Sequence, residues 1–312
     1  MNDSLSFQEN RQTFNFNTAN ISIQQIEKHN DVLNQTTNVL NFFELNGHNL
    51  MRGDALKILR TIPDNSVNLI FVDPPYNIGK NFNGYKDKWE NDEKYMSWCY
   101  EWIDLCIQKL KDNGSMYLMG ATQFMPYFDT YLRKKMDILA RIIWHYDSSG
   151  VQAKKFYGSL YEPIIFAVKG KGDYVFNSKD ILVEAKTGAK RKLIDYRKSI
   201  PTIYNSKKVP GNVWYFPRVR FKMSEYETHP SQKPESLLNR IILASSNVGD
   251  VVLDPFSGTF TTSAVAMKLN RKSIGIELDK DYFETGVNRL QNINKSINNN
   301  QKQQKLGVLH GQ

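Results

Sequence analysis

A chain of 312 residues can hold one large α/β domain with an insertion, or two small domains, and is long enough to bury a substantial core. Its 40% hydrophobic and 23% charged content excludes a disordered chain, and two cysteines exclude a disulfide framework. The formal net charge of +9 sits in one place: Lys169 to Lys222 holds fourteen Lys and Arg against four Asp and Glu. Such localisation points to a polyanion contact, with a solvated basic loop as the plainer alternative.

Residues 1–45, dominated by Asn, Gln, Ser and Thr, read as a flexible N-terminal extension. The start MNDSLSFQENRQ lacks the basic flank and apolar core of a secretory leader, and no run is long enough to span a membrane. The expectation is a cytoplasmic protein with no membrane partner. Cys99 and Cys106 have neither zinc-pair nor disulfide spacing, so no metal is expected.

From residue 46 to 168 the pattern alternates. A short strand at Asn49–Arg52 runs through Gly53-Asp54 into a helix at Ala55–Arg60, where Asp54 reads first as a plain N-cap. Val67 to Val72 is short, apolar and rich in β-branched residues, as a buried parallel strand should be, and it stops at Asp73-Pro74-Pro75-Tyr76. Two prolines fix φ and donate nothing to a sheet, so a carboxylate, a carbonyl and an aromatic face are held stiffly beyond a strand's carboxyl end. Open α/β sheets bind ligands there. A tetrapeptide of this kind arises by chance on the order of once per 10^5 positions.

Asn77 to Lys88 is polar and reads as a mobile loop over a site. A helix is predicted over Asp92–Lys111 with Trp98 and Trp102 as core residues, then a strand at Ser115–Met119, a helix at Phe124–Lys135 and strands at Ile138–Tyr146 and Pro163–Lys169. His145 reads as a satisfied polar residue ahead of a catalytic base. This alternation predicts a doubly wound, mostly parallel sheet.

Residues 169–226 interrupt the alternation with positive charges interleaved among Tyr174, Phe176, Tyr196, Tyr204, Trp214, Tyr215, Phe216 and Phe221. Cations meet phosphates while rings stack on or wedge against bases, so this region reads as an inserted nucleic-acid contact. Its candidate contacts are Lys190, Arg191, Lys192, Arg197, Lys207, Lys208, Arg218 and Arg220, joined by Lys154 and Lys155 from the preceding loop.

Residues 227–294 resume the alternation. A helix begins near Pro234, and Val251–Phe256 is a buried strand followed by Ser257-Gly258-Thr259-Phe260-Thr261-Thr262 and a second helix. Ser273–Leu278 then carries Glu277. A small-residue turn at a helix start, with an acidic residue about twenty positions on, suits a nucleoside cofactor. No Gly-Lys-Ser/Thr follows the turn, which disfavours a P-loop. The last helix is predicted over Asp281–Asn294, and residues 295–312 as a disordered tail.

Gly53-Asp54, Asp73-Pro74-Pro75-Tyr76, His229-Pro230-Ser231-Gln232-Lys233-Pro234, Asp254-Pro255-Phe256-Ser257-Gly258 and Glu277 stand in an order that resembles the β-class DNA amino-methyltransferases. Further blocks, DPPYNIGKNF, YDSSGVQAKK, VEAKTG, IDYRK, KVPGNVW and FPRVR, resemble an adenine-specific subgroup of that family. The resemblance implies a Rossmann-like methyltransferase fold, S-adenosyl-L-methionine as methyl donor and N6 of a flipped adenine in double-stranded DNA as acceptor. It implies Asp73 and the Pro74 carbonyl as acceptors for the amino hydrogens, Pro75 as part of the rigid turn and Tyr76 stacked on the base. Asp54, Asp73, Lys233, Asp254, Phe256, Ser257, Gly258, Thr261 and Glu277 are implied on the cofactor side, with Lys233 facing the methionine carboxylate and Glu277 the ribose. The family commonly has Gly where this chain has Phe260, so that part of the turn is expected to do without glycine's freedom. A palindromic target such as ATGCAT, a homodimer and a cognate restriction enzyme are further implications. Cytosine N4, an RNA base or a protein amide remain as alternative acceptors, and a DNA-binding protein with a decayed fold as the alternative class.

Overall fold

The computed structural model describes residues 39–146, 154–185 and 192–309. Its frame is one nine-stranded sheet assembled from β1 (Asn41–Leu45), β2 (His48–Arg52), β3 (Val67–Val72), β4 (Leu110–Met119), β5 (Asp137–His145), β6 (Tyr161–Val168), β7 (Val213–Tyr215), β8 (Val251–Asp254) and β9 (Lys272–Glu277). Across the sheet they run β1-β2-β9-β8-β3-β4-β6-β5-β7. Only β1 and β6 lie antiparallel to their neighbours. The expected mostly parallel sheet is present, and strands from both halves of the chain interleave in it.

Side-chain alternation explains the layers. Ile70 and Val72 of β3 enter one core with α1 (Ala55–Leu59), α2 (Asp92–Lys109) and α3 (Met125–Leu132), through Leu59, Trp102, Cys106 and Phe128. Leu69 and Phe71 enter the opposite core with α4 (Glu235–Ser245) and α5 (Thr261–Lys268), through Leu238, Ile241, Val265 and Ala266. A strand apolar on both faces must be covered on both, which is why this sheet is doubly wound. The chain leaves β3 through α2 toward β4 and leaves β8 through α5 toward β9, on the other side. A crevice opens where those connections diverge.

Three expectations change. β1 lies inside the stretch read as an extension, pairing with β2 from Asn41↔Arg52 to Leu45↔His48, while residues 1–38 lie outside the described residues. The final helix α6 (Lys280–Leu309) runs past Asn294 into the expected tail, because Ile293 and Ile297 prolong its apolar face over Leu50, Phe283 and Leu290. The 77–88 loop is a small hairpin, Asn81–Phe82 paired with Tyr85–Lys86, tied back to the Asp73–Tyr76 turn through Asp87. Within 169–226, β7 joins the sheet edge beside β5, and two-residue pairings, Val183–Glu184 with Lys207–Lys208 and Ile194–Asp195 with Thr202–Ile203, shape the rest.

Candidate active site

The carboxyl ends of β2, β3, β4, β8 and β9 face one edge of the sheet, and antiparallel β6 starts there. They enclose a cavity of about 660 Å3 lined by Asp54, the whole Asp73–Tyr76 turn, Trp98, Glu162, Arg218, Phe256 and Glu277 among others. Its volume is that of a small-molecule site. Asp73 follows β3 and Glu277 ends β9, two strands away, so they stand roughly 10 Å apart across the crevice.

At the β3 end four polar side chains form one cluster. The Tyr76 hydroxyl donates to Asp73 Oδ1 at 2.6 Å and lies 3.0 Å from Glu162 Oε2. Lys233 Nζ sits 2.7 Å from Asp73 Oδ2 and 3.4 Å from Glu162 Oε2. Burial pushes the Asp73 carboxyl above its ordinary range and Glu162 pushes the same way, with Lys233 opposing both. Burial works against the Lys233 ammonium, yet Asp73 and Glu162 more than offset it and hold its pKa at about 12. The cluster is therefore one cation between two carboxylates. The turn itself is braced by Tyr95, whose hydroxyl donates to the Pro75 carbonyl at 2.8 Å, and by Asp87, which accepts from the Tyr76 amide at 3.0 Å. The Pro74 carbonyl accepts no hydrogen bond from the described residues and lines the cavity.

At the β9 end Glu277 accepts from the Gly258 amide at 2.7 Å and the Asp279 amide at 2.8 Å. Burial still raises its pKa to about 7, so the carboxylate has capacity for further donors from the cavity. Phe256 presents its ring to the cavity, backed by Trp98 and Trp102 at centroid distances of 5.5 and 5.6 Å. Trp102 is core as expected, and Trp98, half-buried against the same core, also lines the cavity. Asp54 combines both readings: it caps α1 through the Lys57 amide at 3.0 Å and also lines the cavity.

Several expected site residues stand behind the wall. Asp254 pins the turn, its carboxylate accepting from Thr262 Oγ1 at 2.5 Å and the Phe256 amide at 3.1 Å, and burial raises its pKa to about 7. Ser257 donates to the Asp254 carbonyl at 2.8 Å. Thr261 is buried and takes a bond from Arg289 at 3.0 Å. Lys233, implied opposite the methionine carboxylate, lies between Asp73 and Glu162 and is not among the residues that line the cavity. Sequence reasoning missed Glu162. It begins an antiparallel strand, and nothing in its flanks separates YEPIIFAV from an ordinary edge of a buried strand.

The hairpin roofs the cavity with Ile78, Lys80, Phe82 and Tyr85. Lys80 Nζ donates to the Pro230 carbonyl at 2.7 Å, Asn83 to Asp279 at 3.1 Å, and the Phe82 ring lies 5.8 Å from His229.

Of the expected DNA contacts, Lys190 and Arg191 lie outside the described residues. Lys154, Lys155, Lys192, Lys207, Lys208 and Arg220 are exposed. Arg218 is drawn into the cavity wall, 5.1 Å from the Tyr146 ring centre. Arg197 binds within its own loop, giving Asp195 bonds of 2.8 and 3.0 Å that hold the Asp195 carboxyl at about 2. His145 meets Tyr215 at a centroid distance of 5.1 Å with the rings tilted by 47°, and does not line the cavity.

A doubly wound sheet with a buried carboxylate at the end of β9 and a rigid acidic-aromatic turn after β3, both on one cavity, has the Rossmann-like methyltransferase fold. The model of the DNA methylase family matches residues 67–288, and the chain belongs to that family. It is 59% identical over 241 residues to the DNA adenine methyltransferase YhdJ of Escherichia coli (strain K12), covering 77% of this chain and 82% of that protein. To the type II methyltransferase M.HpaI of Haemophilus parainfluenzae it is 35% identical over 243 residues, 77% of this chain and 73% of the relative. Among solved structures, the M1.HpyAVI–SAM complex is 26% identical with a TM-score of 0.53, over 77% of this chain and 98% of that one. The cytosine-N4-specific PvuII DNA methyltransferase has the same fold, with a TM-score of 0.58 at 16% identity, over 80% of this chain and 90% of that one.

Proposed function

We propose that this chain methylates N6 of adenine in double-stranded DNA, using S-adenosyl-L-methionine, on a base flipped into the cavity beside Asp73. The observation that carries this reading is a single cavity walled both by Asp73-Pro74-Pro75-Tyr76 and by Glu277. The residues present fit the cofactor: Glu277 has acceptor capacity for a ribose diol, Phe256 and Trp98 offer apolar ring surface for a purine, and Asp54 lies on the same wall. When bound, S-adenosyl-L-methionine supplies an electrophilic sulfonium methyl group.

The protein's task is to prepare the nucleophile. An adenine amino nitrogen is conjugated with its ring and a poor nucleophile. Accepting its two hydrogens at Asp73 Oδ1 and the Pro74 carbonyl draws the nitrogen toward sp3 character and aims its lone pair, while the Tyr76 ring covers the base face. Asp73 would accept the N–H proton that the amino nitrogen loses on methylation. Lys233 keeps its charge at neutral pH and so favours the ionised form of Asp73 against the pull of burial. Positioning by the two rigid prolines supplies a further part of the acceleration.

On the DNA side, residues 169–226 form the target-recognition region in this reading, with Lys154 and Lys155 beside it. Phe156 and Tyr157 support it, since two exposed neighbouring aromatics next to two lysines suit stacking against bases. A palindromic target would call for a two-fold pair of chains. A restriction enzyme of the same specificity fits a chain with type II relatives.

Transfer of labelled methyl to duplexes with and without ATGCAT, comparing the native chain with Asp73→Ala, tests the reading. N6-methyladenine from the native chain and none from the variant is expected. Cofactor binding without transfer to any duplex would overturn the acceptor, and loss of transfer from the native chain without cofactor binding would favour a DNA-binding role.

A further inference from the structure

In the resting site the oxygen that adenine needs already carries a donor. Tyr76 donates its single hydroxyl proton toward Asp73 Oδ1, and Oδ2 holds Lys233, so each carboxylate oxygen of Asp73 carries a strong donor with which the adenine amine would compete. Simply swinging the Tyr76 ring away would free Oδ1 but would also remove the face on which the base stacks. The geometry offers another route. Glu162 Oε2 lies 3.0 Å from the same hydroxyl, on the far side of the shared proton, and its side chain is four-fifths buried and fixed at the start of β6.

We infer that Glu162 is a positioning residue that takes over the Tyr76 hydroxyl when the adenine amino group claims Asp73 Oδ1. The ring stays where it stacks while its O–H turns from one carboxylate to the other, exchanging one charged acceptor for another. The proton stays on Tyr76 throughout, since burial next to two carboxylates raises the phenol far above its ordinary range. The exchange thus moves a hydrogen bond and no charge. Asp73 gains the amino hydrogen as it loses the phenol, and Lys233 remains on Oδ2. Without Glu162, freeing Asp73 would leave a buried hydroxyl with no acceptor, a cost that falls on seating the base and on nothing at the cofactor end. This inference rests on the proposed base-flipping reaction at the same site.

The test is a double-mutant cycle in single-turnover methylation of a target duplex, with Glu162→Ala and Tyr76→Phe alone and combined, and with Glu162→Gln as a variant that keeps an acceptor oxygen. Because a hydrogen bond to a charged group contributes about 1.5–3 kcal/mol, Glu162→Ala should slow transfer by roughly 10- to 100-fold. Calorimetric cofactor affinity should stay within about twofold, which also reports that each variant is folded. Glu162→Gln should recover most of the rate. With Phe at 76 there is no hydroxyl to rehouse, so adding Glu162→Ala should cost no more than about threefold. An equal cost in both backgrounds would assign Glu162 to Lys233 alone and overturn the relay, as would an unchanged rate in Glu162→Ala. Failure of the native chain to methylate any duplex would instead remove the reaction on which the inference depends, refuting both.

Discussion

Gly258 shows how closely a single residue is constrained. It sits at φ +53, and a Cβ there would come within 3.0 Å of His229 Nε2, while its amide holds Glu277. His229 is itself kept uncharged, its pKa pushed down to about 3 by burial and then by Lys233 and Lys80, so it packs as a flat neutral ring. Gly258→Ala should lose about 1–2 kcal/mol of stability from its left-handed backbone, and should weaken cofactor binding by calorimetry as Glu277 shifts. Asp254 and Glu277 make a second prediction. Burial raises both to about 7, above the values near 4 they have in an unfolded chain, so between those pH values the folded state binds more protons than the unfolded state. Stability therefore falls as pH rises from about 4 to 7, the reverse of a salt-bridged carboxylate. Thermal melting of the cofactor-free chain across this range should show that decline, and Asp254→Asn should flatten it. In activity the sign is opposite for Asp73: methyl transfer should fall as pH drops and its carboxylate takes a proton, and a rate profile with no acidic limb would rule out Asp73 as proton acceptor.

At the scale of an element, the turn from β8 into α5 carries the largest departure from expectation. Phe260 adopts the left-handed conformation, φ 58 and ψ 40, that the family's usual Gly would reach without strain. The backbone strain is offset by the ring, which is fully buried with Leu50, Ala264, Met267, Phe283 and Leu290. Two glycines make room for it: a Cβ on Gly275 would lie 2.6 Å from the ring, and one on Gly286 would lie 2.1 Å from it. Phe260→Ala should cost about 3–5 kcal/mol in denaturant unfolding, as expected for an emptied aromatic site. Gly286→Ala would ordinarily stabilise a helix by roughly 1 kcal/mol, but here it should destabilise, and the sign should revert in a Phe260→Ala background.

Over the whole molecule, the charge and the cavity are offset parts of one device. The positive excess lies in residues 169–222, while Asp73, Glu162 and Lys233 form a cluster that is net negative, so in the proposed reaction one part would hold DNA and another would admit a single base. Replacing Lys207 and Lys208 by Ala should weaken duplex binding about equally for all sequences and lower the slope of log K against log salt by roughly 2. Tyr157→Ala should reduce DNA affinity by about 1–3 kcal/mol with little change in that slope, because a stacked ring releases no counterions. Binding titrations across ionic strength separate the two effects.

The sequence by itself determined the parallel sheet, the placing of Asp73 to Tyr76 at a strand end and Glu277 at another, and the basic insertion, because each is written in contiguous residues. A buried strand must be apolar along its length, and two prolines must end it. Tertiary structure decided what lies side by side from distant parts of the chain. Glu162 enters the site because the antiparallel β6 starts at the edge where parallel strands end, and Lys233 meets Asp73 from the segment that leads into α4. Nothing local to YEPI or to SQKP encodes that meeting. The same holds for Phe260, whose strained backbone is tolerable only because Gly275 and Gly286, fifteen and twenty-six residues further on, leave space for its ring. Local periodicity reports which face of an element is buried, whereas packing between elements alone reports what that face is buried against.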